Sequence, residues 1–186
     1  MHLDSKKTAL VLIDLQNAIV GRDTAPHPAT QVVENSRRLA ETFRAHGAPV
    51  VYVRVNMNDF LNLPVDQPMP RGDKPLPAAA SDIVPSAGFQ PGDILVTKRH
   101  WGAFAGTDLA EQLKSRGVDA VVLGGISTNI GVESTARQGT GLGFAFVVVE
   151  DACAAQDAEQ HRFAFEKIFP RLARVRSTDD VITALD

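Results

Sequence analysis

Cysteine is nearly absent. The 186-residue chain holds one, Cys153, so no disulfide can form within it, which suits a reducing cytosol. Long apolar runs are missing too. No stretch approaches the roughly 20 residues that cross a bilayer, and Met1-His2-Leu3-Asp4-Ser5-Lys6-Lys7 carries no signal-peptide core. Neither sign of charge dominates: 19 Lys and Arg stand against 22 Asp and Glu, for a net charge of −3. With no Lys/Arg block and no interleaving of basic and aromatic residues, neither nucleic acid nor a membrane is an expected partner. There is no internal repeat and no low-complexity tract. The expectation is one domain, residues 1–186, in a cytoplasmic protein that acts on a small molecule.

What is present is an alternation of strand and helix patterns. Residues 8–14 are an apolar run closed by an acid, and 50–55 are β-branched and aromatic. Residues 94–97, 118–123, 144–149 and 173–175 repeat the strand pattern. Between them, residues 29–45 place Val32, Val33, Leu39, Ala40 and Phe43 at helical spacing. Residues 106–116, 129–140, 158–168 and 179–185 read as further helices. Strands apolar on both faces, each followed by an amphipathic helix, predict a parallel sheet covered on both sides. The expected fold is α/β: a Rossmann-like three-layer α/β/α sandwich whose six mainly parallel strands run 3-2-1-4-5-6. Ligands of such sheets bind beyond the carboxyl ends of the strands at the switch point, here between strands 1 and 4. One stretch breaks the rhythm. Residues 56–92 hold seven of the eleven prolines and little periodicity, which fits a lid, an irregular surface excursion or an oligomer contact.

Asp14 closes the run Ala9-Leu10-Val11-Leu12-Ile13, and Lys98 follows Leu95-Val96-Thr97. Singly, each has an ordinary explanation. An acid after five apolar residues is costly to bury unpaired, but it also caps turns, and a lysine after a strand is commonly a solvated end. Their force is joint, because both stand at carboxyl ends of predicted strands. A third such end is the Gly-rich segment 124–131, where a strand opens into a helix and offers backbone N–H groups. His100 stands alone, without the spacing of a metal site. Cys153, in Asp151-Ala152-Cys153-Ala154, reads as a small buried thiol.

Four segments together resemble the isochorismatase-like hydrolases, also called cysteine hydrolases, over nearly the whole length. They are Leu12-Ile13-Asp14-Leu15-Gln16, Lys98 with Trp101-Gly102-Ala103-Phe104 and Gly106-Thr107-Asp108-Leu109, residues 125–137, and Val149-Glu150-Asp151-Ala152-Cys153. In most of that superfamily an Asp, a Lys and a Cys form the working set, and the Cys attacks an amide carbonyl. The resemblance maps Asp14 and Lys98 onto the first two and puts Gly131 where the thiol would be. It also implies a cis peptide at Ile126–Ser127 and an anion-stabilising turn from the backbone of Ile126, Ser127, Ile130 and Gly131.

Without a thiol, covalent amide hydrolysis has no nucleophile. The Asp/His metal set of nicotinamidases is also missing, since Asn56-Met57-Asn58-Asp59 offers no histidine. No metal and no cofactor are expected. Isochorismatases proper share the glycine and cleave an enol ether by proton transfer. By that resemblance Asp14 is a general acid, and Lys98 orients it or a carboxylate of a small, anionic substrate. Arg54, Asn56, Trp101 and Phe104 are expected to contact substrate, with Arg99 and Arg137 as further carboxylate candidates. The segment Thr128-Asn129-Ile130-Gly131-Val132-Glu133 differs from that of authentic isochorismatases and resembles an uncharacterised bacterial branch. The resemblance implies a homo-oligomer. The alternative to a hydrolase is an inert metabolite-binding or regulatory member of the superfamily.

Overall fold

In a computed structural model, which describes all residues except 70 and 71, six strands form one sheet in the order β3-β2-β1-β4-β5-β6. They are β1 (Thr8–Ile13), β2 (Val50–Val55), β3 (Ile94–Lys98), β4 (Ala120–Ile126), β5 (Ala145–Ala154) and β6 (Arg174–Arg176). Every neighbouring pair is parallel. The order and the layering are those predicted from the alternation of patterns.

The helices follow from the same patterns. After β1 come a single turn, α1 (Asn17–Val20), and the long α2 (Ala29–Ala45); α3 (Leu109–Ser115) precedes β4. Beyond β4 lie α4 (Glu133–Gly141), α5 (Ala158–Phe163), α6 (Phe169–Leu172) and α7 (Thr178–Ala184). Alternate residues of one strand feed opposite layers. Leu10 and Leu12 of β1 pack with Val32, Leu39 and Phe43 of α2. Ala9, Val11 and Ile13 pack on the other face with Leu109 and Leu113 of α3 and Ala136 of α4. All of these side chains are fully excluded from solvent. At about 1.5–3 kcal/mol for each large apolar side chain buried, the two faces of β1 anchor the sheet.

Several elements depart from the sequence reading: the helix expected over 158–168 turns to a π conformation over Ala164–Ile168, and the strand expected over 118–123 lies at Ala120–Ile126. The helix expected over 129–140 begins instead as a wide π turn, Thr128–Val132, and only then becomes α4. The fifth strand runs four residues past Glu150, to Ala154. Its end was hidden because Glu150 and Asp151 interrupt the apolar run. Both acids are held by side-chain partners: Asp151 Oδ1 accepts from Thr178 N at 2.7 Å and Thr178 Oγ1 at 2.8 Å.

Candidate active site

Three chain segments converge at the carboxyl end of the sheet, where β1 lies between β2 and β4. Asp14 is the first residue past β1. Its N–H donates to Val53 O at 2.8 Å, which ties it to β2. Its φ of 56° makes it the one non-glycine among the described residues in the left-handed region. Such a backbone costs about 1–3 kcal/mol for an ordinary residue and is kept where the surroundings enforce it. Gln16 is one such enforcer. Its buried amide accepts from Val55 N at 2.8 Å and donates to Val55 O at 3.0 Å, extending the pairing of the first two strands past their regular ends. Gly125, at φ 132°, lets β4 pass close to β1, since an added Cβ there would collide with the Ile13 backbone.

Lys98 ends β3 and reaches across the strand ends to Asp14. Its Nζ donates to Asp14 Oδ2 at 2.9 Å, to Trp101 O at 2.8 Å and to His100 O at 3.1 Å. An ammonium has three protons to give, and all three are used inside the protein. Lys98 therefore orients the acid and has no donor left for a ligand carboxylate. Both side chains are buried, at 1% and 9% exposure. Burial pushes the Asp14 carboxyl up from the ordinary aspartate range, against the opposing pull of Lys98. The other oxygen, Asp14 Oδ1, is buried and has no hydrogen-bond partner among the described residues. An orphaned buried acceptor of this kind is expensive unless something fills it.

A cavity of about 710 Å³ lies above this pair, a volume suited to a small organic molecule. Asp14, Lys98, Trp101, Ile126, Ser127, Ile130 and Gly131 all line it. The cis peptide falls at Ile126–Ser127, as the resemblance implied. Gly131 faces the acid: a Cβ built there would sit 3.3 Å from Asp14 Oδ2. The turn's backbone is less open than expected, because the N–H of Ile130 is already spent on Ser127 O at 3.2 Å.

Three residues expected at the substrate stand elsewhere. Arg54 and Asn56 line a separate hollow of about 360 Å³. There Arg54 donates to Thr97 Oγ1 at 3.1 Å and pairs with Asp82 at 3.2 Å. Position 54 is one of alternating directions along β2, and the outward one was not readable from its place near the strand end. Phe104 is core: it is buried and stacks on Phe144 at 5.5 Å. Of the further arginines, Arg99 pairs with Asp59 and Arg137 with Glu133, both outside the cavity.

Other lining residues went unread. Arg22 lines the cavity and is its only cation besides Lys98 among the described residues. It belongs to a non-periodic stretch between α1 and α2, where no pattern flags a role. Met57, Phe60, Gln67, Pro68, Met69 and Leu76 bring the proline-rich excursion 56–92 onto the same cavity. Phe60 packs on Trp101 at 4.7 Å and stacks on His100 at 5.2 Å. Cys153 does not line the cavity; burial raises its thiol well above the ordinary range.

The model of the isochorismatase domain matches residues 8–180. The chain belongs to the isochorismatase family. It is 49% identical to the uncharacterized isochorismatase family protein YecD of Escherichia coli, over 100% of both chains. The structure of an isochorismatase family protein from Burkholderia thailandensis matches it with a TM-score of 0.91 and 41% identity, over 98% of this chain and 97% of that one. N-carbamoylsarcosine amidase from Thermoplasma acidophilum is more distant, with a TM-score of 0.75 and 31% identity over 93% and 97% of the two chains. The family establishes an isochorismatase-type hydrolase fold and, at that general level, a hydrolase.

Proposed function

We propose that this isochorismatase-family protein hydrolyses a small anionic enol ether by proton transfer, with Asp14 as general acid and no covalent intermediate. The observation that carries the reading is the unequal state of the two Asp14 oxygens. Oδ2 is occupied by Lys98, while Oδ1 has no partner among the described residues. A proton on this carboxyl therefore resides on Oδ1, where no described protein group competes for it. Transfer of that proton to the vinyl carbon generates an oxocarbenium ion. Water adds to the cationic carbon and returns a proton to the Asp14 carboxylate. Collapse of the resulting hemiketal breaks the C–O bond and releases a carbonyl compound and an alcohol.

Keeping a carboxylic acid protonated at neutral pH requires raising it about three pH units, roughly 4 kcal/mol. Burial supplies part of that rise. An anionic substrate beside Asp14 supplies more, because like charge disfavours the carboxylate. Arg22 is the cation that could hold such an anion, since Lys98 is fully engaged. Amide hydrolysis, the activity named for the Thermoplasma neighbour, lacks a nucleophile here: Gly131 has no side chain, and Cys153 is buried outside the cavity.

The test is a panel of anionic enol ethers, isochorismate among them, run beside a panel of small amides. Turnover in heavy water is expected to leave deuterium on the former vinyl carbon. Asp14→Asn is expected to abolish turnover in a protein that still folds. Undiminished activity in that variant, or hydrolysis confined to amides, rejects the mechanism. A ligand that raises the melting temperature but is never converted would favour the inert, metabolite-binding reading instead.

A further inference from the structure

Among the described residues, one group of histidine and acid side chains converges away from Asp14. His27, from the segment before α2, and His161, from α5, each bring Nε2 to 3.0 Å from the same oxygen, Oε1 of Glu150 on β5. The two imidazoles meet edge to face with centroids 5.6 Å apart. All three potential ligand atoms lie within 4.8 Å of one another. None of the three residues lines the cavity above Asp14.

These separations are close to those of a tetrahedral metal centre. With metal–ligand bonds of about 2.0–2.1 Å, neighbouring ligand atoms stand about 3.3 Å apart. Both nitrogen–oxygen distances are already near that value. The two nitrogens stand no more than 4.8 Å apart, and any closing between them falls to His27, which sits on a bend outside regular structure, partly exposed. His161, by contrast, is 2% exposed and fixed. The donor set is also chemically consistent. Two imidazole nitrogens and one carboxylate suit zinc and its neighbours, whereas calcium and magnesium prefer all-oxygen shells.

The outer partners allow the exchange of tautomer that metal binding demands. His161 Nδ1 lies 2.8 Å from Thr128 Oγ1, and His27 Nδ1 lies 3.2 Å from Gln31 Nε2. With each Nε2–H donating to Glu150, each Nδ1 accepts. A bound ion needs the reverse: a bare Nε2 and an Nδ1–H that donates. The Thr128 hydroxyl accepts as readily as it donates, and Gln31 can turn its amide to present Oε1.

We propose that His27, Glu150 and His161 bind one divalent transition-metal ion of the zinc class, with water as fourth ligand, at a site separate from Asp14 and Lys98. Its structural effect passes through Thr128, the first residue of the π turn that carries Ile130 and Gly131 to the cavity. Metal at His161 fixes the Nδ1–H as a donor to Thr128 and so pins the start of that turn.

The experiment uses the full-length, tag-free protein after chelator treatment, titrated calorimetrically with zinc and spectroscopically with cobalt(II). The expected result is one zinc per chain, a higher melting temperature with zinc than without, and the visible absorption of tetrahedral cobalt. His27→Ala and Glu150→Gln should each weaken zinc by more than about tenfold, and both are compared with the parent for metal-free melting. Asp14→Asn should bind zinc as the parent does. Absence of binding at micromolar zinc, or binding that neither His27→Ala nor Glu150→Gln alters, overturns the site and leaves the three residues as a hydrogen-bonded cluster. Because the readout is metal binding, neither result bears on the Asp14 reaction.

Discussion

Replacing Lys98 with methionine keeps the length and apolar bulk of the side chain and removes the ammonium, which makes it the sharpest probe of the buried pair. Three acceptors then lose their donor: Asp14 Oδ2, His100 O and Trp101 O. If Asp14 stayed ionised it would be an unpaired buried charge, a situation that costs about 3–5 kcal/mol when one partner of a buried pair is deleted. Protonation caps the electrostatic part. Neutralising an ordinary aspartate at pH 7 costs about 4 kcal/mol, so the charge penalty cannot exceed that. The expected loss at pH 7 is therefore about 3–5 kcal/mol, with the two carbonyls adding at the upper end.

The sign of its pH dependence follows from Asp14. Removing Lys98 raises the folded-state carboxyl further above its unfolded value. A raised carboxyl contributes stability that is present at low pH and lost as pH rises. The gap between parent and Lys98→Met should therefore narrow as pH falls from 7, by up to about 1.4 kcal/mol per pH unit. Narrowing stops where the parent's own Asp14 becomes protonated, and that point reads its pKa directly. Urea unfolding at several pH values measures the gap. Adding Asp14→Asn to Lys98→Met should restore stability at pH 7, because the group needing protonation is gone. A gap independent of pH, or no recovery in the double variant, refutes the buried ion pair as the source of the cost.

Two further substitutions test other parts of the structure. Tyr52, the only tyrosine in the chain, donates to Ala87 O at 2.6 Å from a buried position, so Tyr52→Phe should cost about 1–2 kcal/mol in urea unfolding. Burial pushes its phenol up to about 12, so tyrosinate absorbance should appear only as pH approaches that value or as the protein unfolds; a midpoint near 10 in folded protein counts against the burial. In the native parent Cys153 should resist thiol reagents, being fully buried, whereas Gly131→Cys should give one thiol that reacts through the cavity. A reactive parent shows that Cys153 is not sealed in the core, and a Gly131→Cys variant no more reactive than the parent shows that residue 131 does not face the open site.

Much of the frame was legible because apolar runs and helical spacing report burial directly. Leu10 and Leu12 against Ala9, Val11 and Ile13 announce a strand covered on both faces, and the two cores divide along that alternation. The convergence of Asp14, Lys98 and the turn after β4 was legible for the same reason, since strand ends share one edge of a parallel sheet. Direction at a strand end was not. Arg54 turns to Asp82, and Phe104 enters the core, because the partner of each comes from a distant part of the chain. Arg22 and the His27–Glu150–His161 cluster were unreadable for a related reason. Arg22 and His27 stand on non-periodic segments, and His27, Glu150 and His161 come from separate parts of the chain that only folding brings together.

The two glycines around the cavity make different arguments about what was selected. Gly125 is demanded by the backbone: its φ is 132°, and a Cβ would meet the main chain of Ile13. Gly131 is not in the left-handed region, and its added Cβ would meet first the Ile13 Cγ2 methyl at 3.0 Å, a contact eased by a shift of a few tenths of an ångström. No comparable backbone need excludes a side chain there. What a side chain at 131 would do is occupy the space 3.3 Å from Asp14 Oδ2, between the acid and anything bound above it. A bare Gly131 therefore gives a substrate atom direct approach to the carboxyl. The opening is on the Oδ2 side, which Lys98 already holds, so Gly131 makes room for a bound molecule beside the acid rather than uncovering the Oδ1 proton itself.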